Sequence, residues 1–413
     1  MVGTGLGTVG LGRARAKAPT ALVRKDYHLR VLGTHVTLQE ELRKAAERDL
    51  GIRITFSPGG SAQVLHQAAT RPSSFDLYEQ WSNSINVLWQ AQAIQAIDKS
   101  RIRHWDGVNS LTRTGKLTEG AAFGQGDAPY RLLQVQKDGR LGSSETEWLS
   151  FLPYVHNVDS FGYDAAAMTE GVPYETESWG WLFDERLRGK VALVNAPTIG
   201  LFDAALAAQA TSRVQFEDIG AMTRPELDAL FAVLIELKQS GHFRGLWSSV
   251  PQSVDFMRSG DVVAESIFSP AVAALNGQGI RCINAAPKEG YRAWHGVMCL
   301  SAQTSGTTRD AAYEYMNWWL SGWPGAFIAR QGYYISTPQL SRPHLSDDEW
   351  RYWYQGEPTR SALKNTAGKV SVAAGSKRRG GSYERRFGRV AVWNTVMPTY
   401  EYSLRRWAEF LLS

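Results

Sequence analysis

The chain has 413 residues, a hydrophobic content of 43% and a formal net charge of +5. This length exceeds one ordinary domain and predicts two or three. No run of about 18 uninterrupted apolar residues is present to cross a bilayer. The basic tracts 13–24 and 377–386 lack the interleaved aromatic residues of a nucleic-acid groove. They are therefore predicted to form a solvated face or to provide a weak attraction to a membrane surface.

The first 26 residues have the features of a processing segment. Residues 3–12 are glycine-rich and mildly apolar, and Ala14-Arg15-Ala16 has the small-x-small form of a signal-peptidase site. Because no charged region precedes them, we expect the end of a longer export signal, with a flexible glycine-rich leader as the alternative. The export interpretation predicts a periplasmic protein.

The first folded half follows in an alternating α/β order. Residues 28–32 alternate as a strand does, and Thr37 is placed to cap a helix that ends at Gly51. A second strand and a helix then lead to a short strand at 75–78. That strand opens into residues 80–83, at an edge where open α/β sheets carry ligand-binding loops.

The second half repeats this order. A strand at 191–194 gives way to residues 195–200 and a helix whose first turn would direct free N–H groups at a cleft. Helices are predicted over 225–240 and 253–258. A strand over 262–267 then opens into Phe268.

The chain is predicted to cross between these halves twice, near 152–157 and again at 294–300. Trp294 is expected in a loop, with a strand over 297–300 behind it. The predicted division is a leader and two lobes, with the boundaries 1–26 for the leader, 27–155 plus 295–340 for lobe 1, and 156–294 plus 341–413 for lobe 2.

Five short segments occur in a characteristic order and spacing: Gly51-Ile52 with an alternating strand, Gln95–Ser100, Leu152-Pro153-Tyr154, Pro287–Gly290 followed by Trp294, and Gln331-Gly332-Tyr333. In these the chain resembles bacterial extracellular solute-binding proteins of the spermidine/putrescine-binding type. The resemblance implies a two-lobed α/β clamp of the periplasmic-binding-protein type (type II), with a ligand cleft between its lobes. It also implies a monomeric substrate-binding component of an ABC importer. Such a component is not an enzyme, needs no cofactor, binds no nucleic acid, and works with a membrane-embedded permease and its ATPase.

The aromatic half of the family's polyamine site is retained. By order along the chain, Trp294, Tyr333 and the pair Trp393-Asn394 match the family's cleft tryptophan, its tyrosine after Gln-Gly and its late Trp-Gln pair. Phe268 and Trp81 are further candidate walls, at the ends of predicted strands.

The carboxylate half is not retained. Thr34-His35-Val36 stands where polyamine binders carry Trp-Thr-Glu, residues 195–200 lack the expected Asp and Glu, and Gly296 replaces an aspartate. A desolvated ammonium without a counter-charge is costly, so a polyamine is a weakened prediction unless Glu79, Asp159 or Glu265 substitutes. The predicted ligand is a small nitrogen-containing organic solute: a polyamine-like amine, a quaternary ammonium, or a zwitterionic or aromatic compound.

The candidate ligand-binding residues share a predicted position at strand ends or in the family's cleft segments. They are Thr34, His35, Trp81, Ser82, Asn83, Asn195, Thr198, Phe268, Trp294, Tyr333, Tyr334, Trp393 and Asn394.

Two other classes of function remain as alternatives. The pair Tyr333-Tyr334 is of the kind that binds ferric iron in some relatives, although iron also needs His or carboxylate ligands. A clamp-fold enzyme would use a cleft cysteine, for which Cys299 is the candidate, but it lies inside a predicted strand. Cys282 and Cys299 either pair as a disulfide or remain two buried thiols.

Overall fold

A computed structural model describes residues 27–126 and 128–413. The predicted leader, residues 1–26, lies outside the described residues. The strands are β1 (His28–Gly33), β2 (Arg53–Pro58), β3 (Leu77–Trp81), β4 (Ile94–Gln95), β5 (Ile97–Asp98), β6 (Gln134–Val135), β7 (Leu141–Gly142), β8 (Trp148–Leu149), β9 (Leu152–Asp164), β10 (Val191–Val194), β11 (Phe243–Trp247), β12 (Ala264–Ile267), β13 (Cys282–Asn284), β14 (Tyr291–Ser301), β15 (Tyr334–Ile335), β16 (Leu363–Lys364), β17 (Val370–Val372) and β18 (Val390–Trp393).

The helices alternate with these strands through much of the chain, as the sequence predicts. They are α1 (Glu40–Leu50), α2 (Ser61–Thr70), α3 (Ile85–Gln90), α4 (Ser110–Thr114), α5 (Pro197–Ala210), α6 (Arg224–Gln239), α7 (Val250–Arg258), α8 (Ser269–Asn276), α9 (Gly306–Leu320), α10 (Trp323–Ala329), α11 (Pro338–Ser341), α12 (Asp347–Trp350), α13 (Tyr383–Phe387) and α14 (Tyr400–Leu412).

One hydrogen-bonded path of strands runs in the order β11-β10-β12-β9-β14-β3-β1-β2. At one end, β2 and β3 flank β1 in parallel; at the other, β11 and β12 flank β10 in parallel. The long strands β9 and β14 lie in the middle and pair with each other in antiparallel fashion. The parallel unit β1–β3 is therefore joined to β14 through β3, and the parallel unit of β10, β11 and β12 is joined to β9 through β12.

The apolar interior follows the same division. One buried cluster lies among β1, β2, β3, α1 and α9, and a second lies among β10, α5, α6 and α14. A third cluster joins the start of β14 to α10, β15, α13 and β18. The C-terminal segments α13, β18 and α14 consequently pack near the end of the strand pair where β9 ends and β14 begins.

Three local expectations are wrong. The helix predicted to be capped by Thr37 begins at Glu40 without a side-chain cap, and the Thr37 hydroxyl instead forms a hydrogen bond of 2.9 Å with the Tyr154 hydroxyl. Trp294 lies inside β14, not in a loop before a strand. The second basic tract is not simply a solvated face, since Arg386 is only 1% exposed. The predicted helix end at Gly51 is confirmed, with φ 64°.

Gly200 stands where α5 passes close to the end of β10. A Cβ atom there would clash with the Val194 carbonyl oxygen and lie 2.9 Å from the ring of Trp407. We expect Gly200→Ala to lower the free energy of unfolding by about 1–3 kcal/mol in urea titration, because overpacking outweighs the better helix propensity of alanine. Gly120→Ala is the control, since no heavy atom lies within 4 Å of its Cβ position; equal effects of the two substitutions would contradict the close approach.

Candidate functional site

Three aromatic rings from separate segments meet beside the central strand pair. Trp81 at the end of β3 lies edge-on to Trp294 of β14, with ring centroids 4.7 Å apart, and Trp294 lies edge-on to Tyr333 at 5.5 Å. Antiparallel pairing of β3 with β14 sets Trp81 opposite Gly296, which fixes the first contact. Trp294 and Tyr333 are buried and Trp81 is half-buried. We call Trp81, Trp294 and Tyr333 the aromatic trio.

A carboxylate lies directly against this trio. The indole Nε1 of Trp294 donates to Asp159 Oδ2 at 2.9 Å. The Asn157 amide donates to Asp159 Oδ1 at 3.3 Å and to the Ser269 hydroxyl at 3.2 Å. Of the three acids named as substitutes for the missing family carboxylates, Asp159 is the one with a hydrogen bond to the trio.

Asp159 also belongs to a buried charge cluster. Arg292 stands opposite Asp159 in the β9–β14 register, with its NH2 group 3.5 Å from Asp159 Oδ2 and its Nε donating to Asp203 Oδ1 at 2.6 Å. Burial raises the pKa of Asp159 to about 6, against the opposing effect of Arg292. Two carboxyl groups share one guanidinium, so the cluster carries excess negative charge when both are ionised. The Asn394 amide oxygen accepts from Arg292 at 3.3 Å, which links that candidate to the cluster.

Glu79 and Glu265 are not hydrogen-bonded to the trio. The Glu79 carboxylate accepts from the Tyr154 hydroxyl at 3.0 Å, and burial raises its pKa to about 7. The Glu265 carboxylate accepts from the Ser253 hydroxyl at 2.6 Å, and burial raises its pKa to about 8. Both are completely buried.

The candidates of the first half follow the parallel strands β1 and β3. Thr34 comes directly after β1, and Ser82 and Asn83 come directly after β3, so all three lie at the same sheet edge. Thr34 and Ser82 are buried, whereas His35 is exposed. The Asn83 side-chain oxygen is buried and has no protein hydrogen-bond partner.

The candidates of the second half follow β10 and β12, which are also parallel. Asn195 accepts a hydrogen bond of 3.0 Å from Trp407 Nε1, a structural contact that occupies its side-chain oxygen. Thr198 lies half-buried in the first turn of α5. Phe268 is half-buried, edge-on to Trp247 at 5.0 Å.

Two candidates belong to the third apolar cluster instead. The fully buried Tyr334 donates its hydroxyl to the Trp353 carbonyl at 2.7 Å, and its ring lies 4.7 Å from that of Tyr383. Trp393 ends β18 and is 1% exposed. Tyr333 and Tyr334 therefore belong to different aromatic clusters, as expected for neighbours in extended chain.

Neither cysteine is placed for nucleophilic chemistry. Cys282 and Cys299 are separate buried thiols, and burial raises the pKa of both well above its ordinary value. A thiolate is therefore strongly disfavoured at either position. Within residues 27–126 and 128–413, no group of three or more His, Cys, Asp or Glu side chains is arranged to hold a metal ion.

The model of the bacterial extracellular solute-binding protein family matches residues 41–349, more than half of the chain. The protein belongs to this family. No curated protein sequence matches the chain. Among the helices of the described residues, none combines the length and apolar character needed to cross a membrane.

Solved structures show that the fold is that of the two-lobed solute-binding clamp. The spermidine/putrescine ABC transporter substrate-binding protein PotD of Streptococcus pneumoniae aligns with a TM-score of 0.63 at 12% identity, over 94% of this chain and 99% of that one. The PotD lipoprotein of Treponema pallidum gives 0.63 at 11%, over 93% and 99%. The binding protein AgtB of A. tumefaciens R10, solved with agropinic acid, gives 0.57 at 12%, over 94% and 99%. The predicted fold class is thus confirmed.

The buried carboxyl of Glu265 makes a testable contribution to stability. Its pKa rises from 4.5 to about 8 on folding, so the folded state holds this proton more tightly. The stability that comes from this tighter proton binding is therefore fully present below the pKa of the unfolded state, 4.5. It is lost as the pH rises towards the pKa of the folded state, about 8. We expect Glu265→Gln to become more stable relative to the unmodified protein across this interval, by at most about 1.4 kcal/mol per pH unit. Urea unfolding of both proteins at several pH values measures this difference in the free energy of unfolding.

Asp138→Asn is the control for that series, because Asp138 lies on the surface, where it pairs with Arg140. Its stability relative to the unmodified protein should stay level from about pH 5 to about pH 8, where an exposed carboxylate remains ionised. A parallel change in both variants would show that Glu265 is not the titrating group.

Proposed function

We propose that this protein is the solute-binding component of an ABC importer that carries a small nitrogen-containing organic solute, held against the aromatic trio. The observation that supports this most directly is the hydrogen bond from Trp294 to Asp159. Ring faces attract an ammonium or quaternary ammonium group, and a nearby carboxylate offsets the cost of removing that group from water. The site combines both elements.

The charge of the site restricts the ligand further. Because Arg292 already neutralises part of the Asp159 and Asp203 pair, and Arg386 also interacts with Asp159 at longer range, at most about one excess negative charge remains near the trio. One cationic nitrogen on the ligand would balance this negative charge. A polyamine carries several cationic nitrogens, and the others would need further carboxylates. We therefore favour a monoamine, quaternary ammonium or zwitterion over spermidine or putrescine.

Transport would proceed by lobe closure. We retain the two lobes, 27–155 plus 295–340 and 156–294 plus 341–413, as a proposal. The loops after β1 and β3 would close on those after β10 and β12 around the solute, shifting the protein to the form that a membrane permease recognises. In this proposal the protein is exported, acts as a monomer and is not an enzyme. Ferric iron and cysteine catalysis have weaker support, because Tyr334 is engaged with Trp353 and Cys299 is buried in β14.

Ligand class can be tested by thermal unfolding against betaines, monoamines, amino acids, aromatic acids, spermidine, putrescine and ferric iron. A bound ligand at about 100 times its dissociation constant adds roughly 2.7 kcal/mol to stability and raises the midpoint. We expect a clear rise with at least one singly cationic or zwitterionic compound. A rise only with spermidine, putrescine or iron would contradict the proposed ligand class.

The site itself is tested with Trp294→Leu and Asp159→Asn, using the compound that gives the largest shift. Loss of the ring or of the carboxylate charge should weaken binding by about tenfold or more, which corresponds to about 1.4 kcal/mol. Calorimetric titration gives the dissociation constants.

Two matched variants control for general effects. Trp148→Leu removes a tryptophan that is 49% exposed, and Asp138→Asn removes a surface carboxylate paired with Arg140. Both should bind like the unmodified protein. Unchanged binding in Trp294→Leu and Asp159→Asn would place the ligand elsewhere.

A further inference from the structure

A second region of interest is a cavity of about 570 Å³, and no member of the aromatic trio lines it. Its walls come from α8 and β13, from residues 330–332, and from the C-terminal segment 370–386. This volume is in the range of sites for small organic molecules. The resemblance to polyamine binders assigned no residue of the segment 370–386 to a ligand.

Four of the residues that line the cavity carry a buried polar atom that lacks a protein partner. Arg378 Nε, Arg386 Nε, Ser371 Oγ and Asn284 Nδ2 are all shielded from solvent, and none makes a hydrogen bond within the protein. All four carry N–H or O–H donors. Buried donors are normally satisfied, so four of them around one cavity indicate an acceptor that the protein does not itself supply.

The charges of the wall lead to the same conclusion. Arg281, Arg330 and Arg379 each form an ion pair with a glutamate. By contrast, Arg378 and Arg386 have no carboxylate within ion-pair distance among the described residues. Arginine does not lose its proton in proteins, so these two guanidinium groups carry positive charge at the cavity that no direct ion pair neutralises, and Arg386 interacts with Asp159 only at longer range.

The wall beside Arg378 is aromatic. Its guanidinium lies 4.5 Å from the centre of the Trp353 ring and 5.9 Å from that of Tyr352, while Val272 and Ile280 add apolar surface from α8 and the turn before β13. Arg386 is held deeper, with weak contacts of 3.4 Å to the Tyr334 hydroxyl and 3.5 Å to the Val158 carbonyl. A bare inorganic anion would leave the apolar part of the cavity unfilled.

We propose that this cavity binds a small organic carboxylate with a flat apolar body. The carboxylate accepts hydrogen bonds from Arg378 and Arg386, and the body lies against Trp353 and the valine and isoleucine side chains. Guanidinium groups match the two oxygens of a carboxylate in a planar arrangement. The proposal stands independently of the solute held at the aromatic trio.

Phenylacetate is the probe, and its binding to the full chain is followed by calorimetric titration. Arg378→Gln should weaken binding by about tenfold or more, because a buried charge-assisted contact is lost. Arg360→Gln makes the same change in net charge at an exposed position outside the cavity and should leave binding unchanged. Trp294→Leu should also bind phenylacetate normally, which separates this site from the aromatic trio.

A second, separate substitution tests the proposal in case Arg378→Gln does not fold. Ser371→Asp places a carboxylate inside the cavity; it should block phenylacetate and raise the unfolding midpoint of the unliganded protein by supplying the missing counter-charge. Sulfate should compete only weakly, since it cannot use the apolar wall. Absence of phenylacetate binding at millimolar concentration, equal binding by Arg378→Gln and Arg360→Gln, or loss in Trp294→Leu alone would each overturn the proposal.

Discussion

The antiparallel pairing of β9 with β14 is the constraint on which the candidate site depends. Both strands are buried along nearly their whole length, and their register sets Arg292 opposite Asp159 and Trp294 opposite Asn157. A slip of one residue would turn every side chain to the other face of the sheet. It would separate Arg292 from Asp159 and turn Trp294 away from Asp159 and Tyr333. The register of β9 with β14 therefore determines both the pairing of Arg292 with Asp159 and the position of Trp294 in the aromatic trio.

Burial of charge in the strand pair has an energetic consequence. A guanidinium and two carboxyl groups removed from water gain little net stability, because desolvation offsets much of their attraction. The ion pairs do fix the positions of the three side chains, since Arg292 and its two carboxylate partners are held by their charges as well as by packing. On the far side of Asn157, the Ser269 hydroxyl lies at the wall of the arginine-lined cavity. The carboxylates at the trio thus lie a short distance from the guanidinium groups at the cavity, and Arg386 interacts with Asp159 between them.

Local elements could be predicted where side chains show a clear period or a special backbone conformation. The alternation at 28–32 and the glycine at position 51 identify β1 and the end of α1. The same reasoning failed for Trp294, because β14 is buried on both faces and shows no alternation of polar and apolar residues. Thr37 was misplaced because a hydroxyl that suits a helix cap serves a buried tyrosine equally well.

The contact among three of the predicted aromatic residues could be anticipated from sequence, whereas the charged partners could not, for a physical reason. Trp294 and Tyr333 each belong to a short segment that resembles the family, and Trp81 stands at the end of a predicted strand, so order along the chain was enough to select all three. Asp159 and Arg292 lie 133 positions apart in the numbering and acquire a role only through cross-strand register, which no local pattern encodes. The basic tract shows the same limit: exposed and buried arginines look alike in sequence. Only the packing of 370–386 against α8 and Trp353 turns Arg378 and Arg386 from solvated charges into residues that line a cavity and carry buried, unpaired donors.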